Sequence, residues 1–499
     1  MTTTAEPTRR IATRIPGLDT ILEGGLLTGG VYIIEGPPGV GKTTLGSHFC
    51  FNHAAAGGRA VYVTLLAESH TRLLAHLKRM SFFDASLVPE RLSYLSAFKV
   101  LEADGLSAVL KLVRQAIGTH KADIVVLDGL VSAEEASPSP KEFKKFIHEL
   151  QVVASMTGCT ALLLNSTERP RGFRPERTMV DGIIEMEDEI VRLRAIRRIS
   201  VRKMRGASQV RGRHYMEITD AGVRVMPRIE TVGLHADVDA APNAVTERLP
   251  FDIAGLDDMI GGGLPHSSVT AMVGPSGSGK TLLGMHFLNA GLERGERCVY
   301  FGFFERPAAL IEKSRRLGMG FEAAQADGRL QIHWNRPVEG IIDELADRLI
   351  RDIIEQKPKR LVIDGLQGLQ GAADTTDRLR EVLSCVVDEL ELRGVTSIYT
   401  AETPDLFGEN LQLSMLGMSA LTHNILLVKH VERESRTRRS MTVLKVRDGE
   451  HDLSVREFAI TNQGIQLGDA TSADSGGTRS KSREAPSRAE RSRTPRKRQ

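Results

Sequence analysis

Two stretches of the chain have the residue types and spacing to grip a phosphate: GPPGVGKT at 36–43 and GPSGSGKT at 274–281. In each, glycines let consecutive backbone N–H groups curl toward one point and remove side chains that would collide with an anion. Gly36, Gly39 and Gly41 do this in the first stretch, Gly274, Gly277 and Gly279 in the second. A helix starting behind the turn adds positive potential at its N-terminus. Lys42 and Lys280 are placed to reach the β- and γ-phosphates of a nucleoside triphosphate, and the hydroxyls of Thr43 and Thr281 to ligate Mg²⁺. An acid closing a buried strand can hold the water shell of that ion. Asp128 ends DIVVLD and Asp364 ends RLVID, each downstream of one phosphate loop. Hydrolysis also needs a group to orient or deprotonate water. The candidates are Glu68 in TLLAESH and Glu305 in GFFERP, although an acid in the first turn of a helix has a plainer explanation in the helix dipole. Asn165 and Thr403, at the ends of the last core strands, are candidates to sense a γ-phosphate.

The elements that must hold these residues occur twice. IPGLDTILEGGLLTGG, VYIIEG, the glycine turn and a helix are followed later by IAGLDDMIGGGLPHSS, VTAMVG, the turn and a helix. Both halves continue with a short β-branched or aromatic strand, AVYVTLL or CVYFGFF, and then a helix and a strand, RLSYLSA or RLQIHWN. Next come the amphipathic stretches LSAVLKLVRQAIGTH and IIDELADRLIRDIIEQ, with apolar residues at three- and four-residue spacing. The buried strands DIVVLDG and RLVIDG follow, then a helix and a last core strand, TALLLNST or TSIYTAET. Each half closes on alternating β-patterns. Strands alternating with helices predict a mostly parallel sheet covered on both faces, with an antiparallel extension. The expected organisation is a flexible 1–10, an α/β domain over 11–230, a linker over 231–247, a second α/β domain over 248–468 and a disordered basic tail over 469–499.

Composition bounds the rest. At 499 residues, 41% hydrophobic and 26% charged, the chain reads as a globular protein of two or three domains. No run of about 18 apolar residues exists, so no membrane span is expected. MTTTAEPTRR lacks an apolar signal core, which points to a cytoplasmic protein. Cys50, Cys159, Cys298 and Cys385 form no Cys-x-x-Cys pair and read as inert, buried thiols. Net charge is +3, yet Lys and Arg crowd the tail. Its plain reading is a solubilising segment; its sharper one is docking to an acidic partner or nucleic acid.

With these residues in view, the chain resembles the KaiC family of clock ATPases: two tandem RecA-like P-loop lobes, each with a PG-LD or AG-LD opening and GG-L before the phosphate loop. The resemblance spans nearly all of 11–468 and leaves out the tail. It implies ATP and Mg²⁺ as cofactors and a homo-hexamer of two stacked rings. It also implies a Lys-x-Arg strand in each lobe that reaches the ATP of the neighbouring subunit, here Lys203-Met204-Arg205 and Lys445-Val446-Arg447. His451 matches a family position near the nucleotide, where the first lobe has Gln209. Serine/threonine autokinase activity belongs to the same resemblance, with Ser419 at the family's serine position. Two positions depart from it. Phe304 stands where the family has the base for autophosphorylation, and Ala420 where it has the acceptor threonine. In the first lobe the paired glutamates read Ala67-Glu68 if one residue is inserted.

Three functions fit the residues: a KaiC-like hexameric ATPase acting as a nucleotide-timed signalling switch, a RecA-type DNA-dependent ATPase of recombination or repair, and an ATP-clamped scaffold without turnover. The basic stretches RPRGFRPERTM and ERESRTRRS keep the second alive; the low aromatic content of 5% counts against it.

Overall fold

The run VYIIEG lacks polar alternation, the pattern of a strand covered on both faces. It forms β1 (Val31–Gly36), with every residue buried. The computed structural model describes residues 9–67, 70–166, 176–191, 193–231, 247–336, 340–403, 421–433, 436–447 and 449–470. Glu68, Ser419, Ala420, nearly all of the expected linker and the basic tail lie outside them.

After β1 the first lobe runs α1 (Lys42–Ala55), β2 (Ala60–Thr64), β3 (Leu92–Ser96), α2 (Phe98–His120), β4 (Ile124–Asp128), α3 (Pro140–Thr157) and β5 (Thr160–Ser166). A single turn of helix, α4 (Glu176–Met179), then leads into β6 (Gly182–Val191), β7 (Arg194–Met204), β8 (His214–Thr219) and β9 (Gly222–Met226). The second lobe repeats the plan: β10 (Val269–Gly274), α5 (Lys280–Glu293), β11 (Cys298–Gly302), α6 (Pro307–Arg316), β12 (Leu330–Trp334), α7 (Ile342–Gln356) and β13 (Arg360–Asp364). It continues through α8 (Thr376–Leu392), β14 (Thr396–Glu402), β15 (Asn424–Arg433), β16 (Arg436–Val446), β17 (Arg456–Thr461) and β18 (Gly464–Ala470).

Each lobe holds one nine-stranded sheet, and the two share one strand order. In the first lobe it is β9-β8-β7-β6-β1-β5-β4-β2-β3, in the second β18-β17-β16-β15-β10-β14-β13-β11-β12. The strands from β6 through β3 pair in parallel, and β7, β8 and β9 extend the sheet antiparallel. These are two tandem RecA-like α/β domains.

Local signals explain the helix ends. Ser139 caps α3 by accepting a hydrogen bond from the Glu142 N–H at 3.3 Å, ahead of Pro140, and Gly158 closes it at φ +70°. Tyr32 and Ile34 pack with Leu45 and Phe49 of α1 on one face of the sheet. Val31 and Ile33 pack with Val113 of α2 and Phe146 of α3 on the other. Cys50, Cys159 and Cys298 are buried as expected, and burial pushes the Cys159 and Cys298 thiols up to about 12. Cys385 corrects the expectation: it lies on the α8 face turned partly to the surface and is only half-buried.

The lobes also touch. The Tyr215 hydroxyl donates to Asp374 at 2.5 Å, and Arg198 pairs with the same carboxylate. Arg378 donates to both Glu230 oxygens at 2.6 and 2.8 Å and to Asp343, which also accepts from the Ile229 N–H at 3.0 Å. Asp343 is 1% exposed, and burial raises its pKa against the opposing pull of Arg378.

Candidate functional site

The phosphate loops leave the carboxyl ends of β1 and β10, each between neighbours on both sides, where open α/β sheets place their ligands. Gly36 and Gly274 are required by the next strand. A Cβ on Gly36 would sit 2.3 Å from the Met186 carbonyl oxygen, and one on Gly274 2.2 Å from that of Val428. Gly41 and Gly279 turn the chain into α1 and α5 at φ +110° and +104°, a conformation that favours glycine.

The two lysines project back over their loops. Lys42 Nζ donates to the carbonyls of Gly36 at 2.9 Å and Pro37 at 2.8 Å; Lys280 Nζ donates to those of Gly274 at 2.8 Å and Pro275 at 2.7 Å. Burial lowers the pKa of both, opposed by Asp128 in the first lobe and by Glu402 and Asp364 in the second. The following threonines meet the strand-end acids. Thr43 Oγ1 donates to Asp128 at 2.9 Å and Thr281 Oγ1 to Asp364 at 2.8 Å. Residues more than 80 positions apart in sequence thus converge as the motif spacing predicts.

Sequence reasoning missed the tyrosines beneath this pair. Tyr62 and Tyr300 each donate to the strand-end acid at 2.7 Å. Burial, and then the neighbouring carboxylate, push both hydroxyls far above the usual tyrosine range, so they stay donors. The available signal was the shared Val-Tyr at matching places in AVYVT and CVYFG. Thr400 was missed too. Its hydroxyl donates to Asp364 at 2.5 Å and accepts from the Gly365 N–H at 2.7 Å. The first lobe has Leu164 at the matching position, where the Gly129 N–H meets the Leu164 backbone carbonyl at 3.4 Å instead.

Register also clarifies the water-activating positions. The Leu65 N–H bonds the Asp128 carbonyl at 2.8 Å, and the Phe303 N–H bonds that of Asp364 at 3.3 Å. Leu66 and Phe304 are therefore equivalent, and each lies over the glycine after the acid. A Cβ on Gly129 would be 2.8 Å from Leu66, and one on Gly365 2.4 Å from Phe304. Through Leu66 the lobes keep one register, so no inserted residue separates Leu66 from β2, and Leu66 rather than Ala67 stands in the place of Phe304. Glu68 itself lies outside the described residues. Glu305 pairs with Lys313 of α6 through Oε1, while its Oε2 is buried without a hydrogen-bond partner among the described residues. Glu305, Lys313, Lys280, Thr281, Asp364 and Thr400 line one cavity of about 1000 Å³.

Asn165 is buried at the end of β5, its Oδ1 without a partner among the described residues. Thr403 reaches the second loop through its backbone, donating to the Gly274 carbonyl at 3.2 Å.

The Lys-x-Arg fingers stand elsewhere. Met204 lies opposite Gly182, and Gly182 opposite Tyr32. The finger strand thus ends beside the start of β1, while the loop leaves its far end at Gly36. The intervening strand spans about 13 Å at about 3.3 Å per residue. The second lobe repeats this, with Val446 opposite Asn424 and Asn424 opposite Thr270. Within the chain, Lys203 Nζ donates to the Arg177 and Thr178 carbonyls at 2.9 Å each, and Arg205 to those of Thr178 at 2.6 Å and Met179 at 3.2 Å. Lys445 Nζ donates to the Thr422 carbonyl at 2.8 Å, Arg447 is exposed, and His451 and Gln209 are half-buried. The structure brings loop, threonine and acid together in each lobe and leaves the fingers beside the other end of the loop strand.

A family model described as "ATPase: KaiC" matches residues 11–230 and again 249–472. The chain belongs to the KaiC ATPase family. Similarity to curated KaiC proteins runs over nearly the whole chain at low identity. It is 26% identical to the circadian clock oscillator protein KaiC of Rippkaea orientalis, over 94% of this chain and 90% of that one. The circadian clock protein KaiC3 of a Synechocystis species is 27% identical over 92% of each chain. The KaiC of Thermostichus vulcanus is 26% identical over 93% of this chain and 89% of its own. This KaiC-family chain is thus a divergent member with both lobes present. Among its described residues no helix is long and apolar enough to cross a membrane.

Proposed function

We propose that this protein binds and hydrolyses ATP in a double-ringed homo-hexamer, with each nucleotide held in the seam between neighbouring subunits. One observation carries the reading. Each lobe supplies a complete phosphate loop and acid, yet its basic fingers end about 13 Å of strand away from that loop. They serve a phosphate only if a second copy brings one to them. Lys203, Arg205, Lys445 and Arg447 would then stabilise charge on the neighbour's ATP, with His451 beside them in the second ring.

The residues fit ATP and Mg²⁺. The loop glycines leave a cradle that side chains would fill, and the Thr43–Asp128 and Thr281–Asp364 pairs present hard oxygen donors. Bound Mg²⁺ would neutralise charge on the phosphates. The tyrosine and threonine hydroxyls fix the acids that hold its water shell. Glu305 is the group proposed to orient the attacking water in the second lobe, and Glu68 in the first. Ser419 is the candidate phospho-acceptor. Phosphotransfer is the minor output in this reading, because Phe304 offers no base and Ala420 no hydroxyl. The basic tail is proposed to meet an acidic signalling partner, and the protein to work in the cytoplasm. The DNA-dependent reading loses ground where its basic stretch is described: Arg438 pairs with Glu457, and Arg439 donates to the Gly277 carbonyl at 3.2 Å.

Native mass spectrometry with ATP, ADP or no nucleotide tests this. Hexamers with ATP, smaller species without it, and loss of hexamers in Arg205→Ala and Arg447→Ala are expected. Hexamers indifferent to both substitutions contradict shared sites.

A further inference from the structure

We propose that Glu35 is a positioning residue for the fingers that the first lobe offers to its neighbour, an inference that rests on the shared-site reading above. Glu35 immediately precedes the loop glycine Gly36 and is 2% exposed. A carboxylate so buried is costly unless paired. It forms an ion pair with Arg177 of α4. A helix of one turn has little stability of its own and takes its place from what holds it. α4 is held by the Arg177–Glu35 pair, by Gln151 of α3, which donates to the Met179 carbonyl at 2.7 Å, by packing of Met179 against the apolar cluster of α2 and α3, and by Lys203 and Arg205, which donate to its three consecutive carbonyls. The strand that carries the phosphate loop is thereby tied to the fingers through one ion pair and one turn of helix. A shift of the loop on nucleotide binding or loss moves the anchor of residues that act in the next subunit's site.

The second lobe lacks this link. Val273 precedes Gly274 there, and it packs with Ala271, Leu427 and Ala401 in a small apolar cluster. Arg177 stands five residues before β6, and five residues before β15 the sequence has Ser419. The sites of the first ring are therefore coupled around the ring by a device that the second ring does not have.

The test is subunit mixing, in a Lys280→Ala background so that turnover comes from the first lobe. Glu35→Val protomers keep a sound pocket but loosen their fingers; Lys42→Ala protomers have a dead pocket and sound fingers. Glu35→Val alone should assemble and lose about tenfold to 10²-fold in first-lobe hydrolysis, the scale of a catalytic group displaced by about 1 Å. Mixed with Lys42→Ala it should regain activity as far as a Lys203→Ala and Lys42→Ala mixture does. The Glu35→Val/Arg177→Leu double variant, which removes both charges of the pair, should behave as Glu35→Val does. Wild-type rates in Glu35→Val overturn the proposal. So does the absence of regain where the Lys203→Ala mixture regains, because Glu35 then serves its own pocket. If neither mixture regains, the shared-site reading falls and takes this inference with it. If Glu35→Val and the double variant both fail to assemble, Glu35 is a folding residue and the proposal is overturned.

Discussion

Replacing Thr400 with valine tests how the second-lobe acid is held. Thr400 is 2% exposed and nearly isosteric with valine, so the change removes a hydroxyl and little else. Two hydrogen bonds disappear: the 2.5 Å donation to Asp364 and the 2.7 Å acceptance from the Gly365 N–H. An unsatisfied buried N–H costs about 1–3 kcal/mol, and a hydrogen bond to a charged group is worth about 1.5–3 kcal/mol. These overlap in one small network, so we expect about 2–4 kcal/mol of second-lobe stability to be lost. Asp364 also becomes freer to turn away from Thr281. We therefore expect Mg·ATP affinity at that lobe to fall about tenfold, equivalent to about 1.4 kcal/mol. Trp334 is the chain's single tryptophan and lies in the second lobe, its indole N–H donating to the Phe303 carbonyl at 3.1 Å. Urea unfolding followed by its fluorescence, with and without Mg·ATP, reports this lobe alone. Thr400→Ser should restore most of both losses. A valine variant within about 0.5 kcal/mol of wild type, the range of changes that disturb no buried feature, with its nucleotide response intact, would refute the reasoning.

Glu305→Gln should lower second-lobe ATP turnover by about 10²-fold or more while ATP binding persists, measured as phosphate release in a Lys42→Ala background. Arg378→Ala strands the buried Asp343 and leaves Glu230 to Arg228; calorimetry should show about 3–5 kcal/mol of destabilisation and a separation of the two lobes' transitions. Burial lowers the pKa of His48 to about 4, and its neutral Nδ1 accepts from the Val223 N–H at 3.2 Å. The unfolded chain binds this proton first, so the contribution is complete above about pH 6.5 and is lost as pH falls toward 4. Circular-dichroism melts should drop over that window, and less steeply in His48→Gln.

Much of this architecture was legible because its signals are short-range. VYIIEG and DIVVLDG announce buried parallel strands by composition alone, and the glycine turns between strand and helix announce the phosphate cradles. What remained hidden depends on register between distant segments. Tyr62 and Tyr300 read as ordinary strand residues until β2 and β11 are laid beside β4 and β13. Thr400 sits in an apolar run, and only the pairing of β13 with β14 brings it to Asp364. The match of Leu66 with Phe304 is likewise set by backbone hydrogen bonds to the strand-end acids, whereas a reading guided by charge puts Ala67 in the place of Phe304. Glu35 looked like the end of a strand, and its partner Arg177 lies 142 residues away.

The most direct measurement of the shared-site claim is a cryo-EM map of the protein assembled with Mg²⁺ and a slowly hydrolysed ATP analogue. Our account predicts Lys203 and Arg205 of one subunit at the phosphates cradled by residues 36–43 of the next, with Lys445 and Arg447 placed likewise in the second ring. Nucleotides enclosed by the loop, acid and fingers of a single subunit would contradict it.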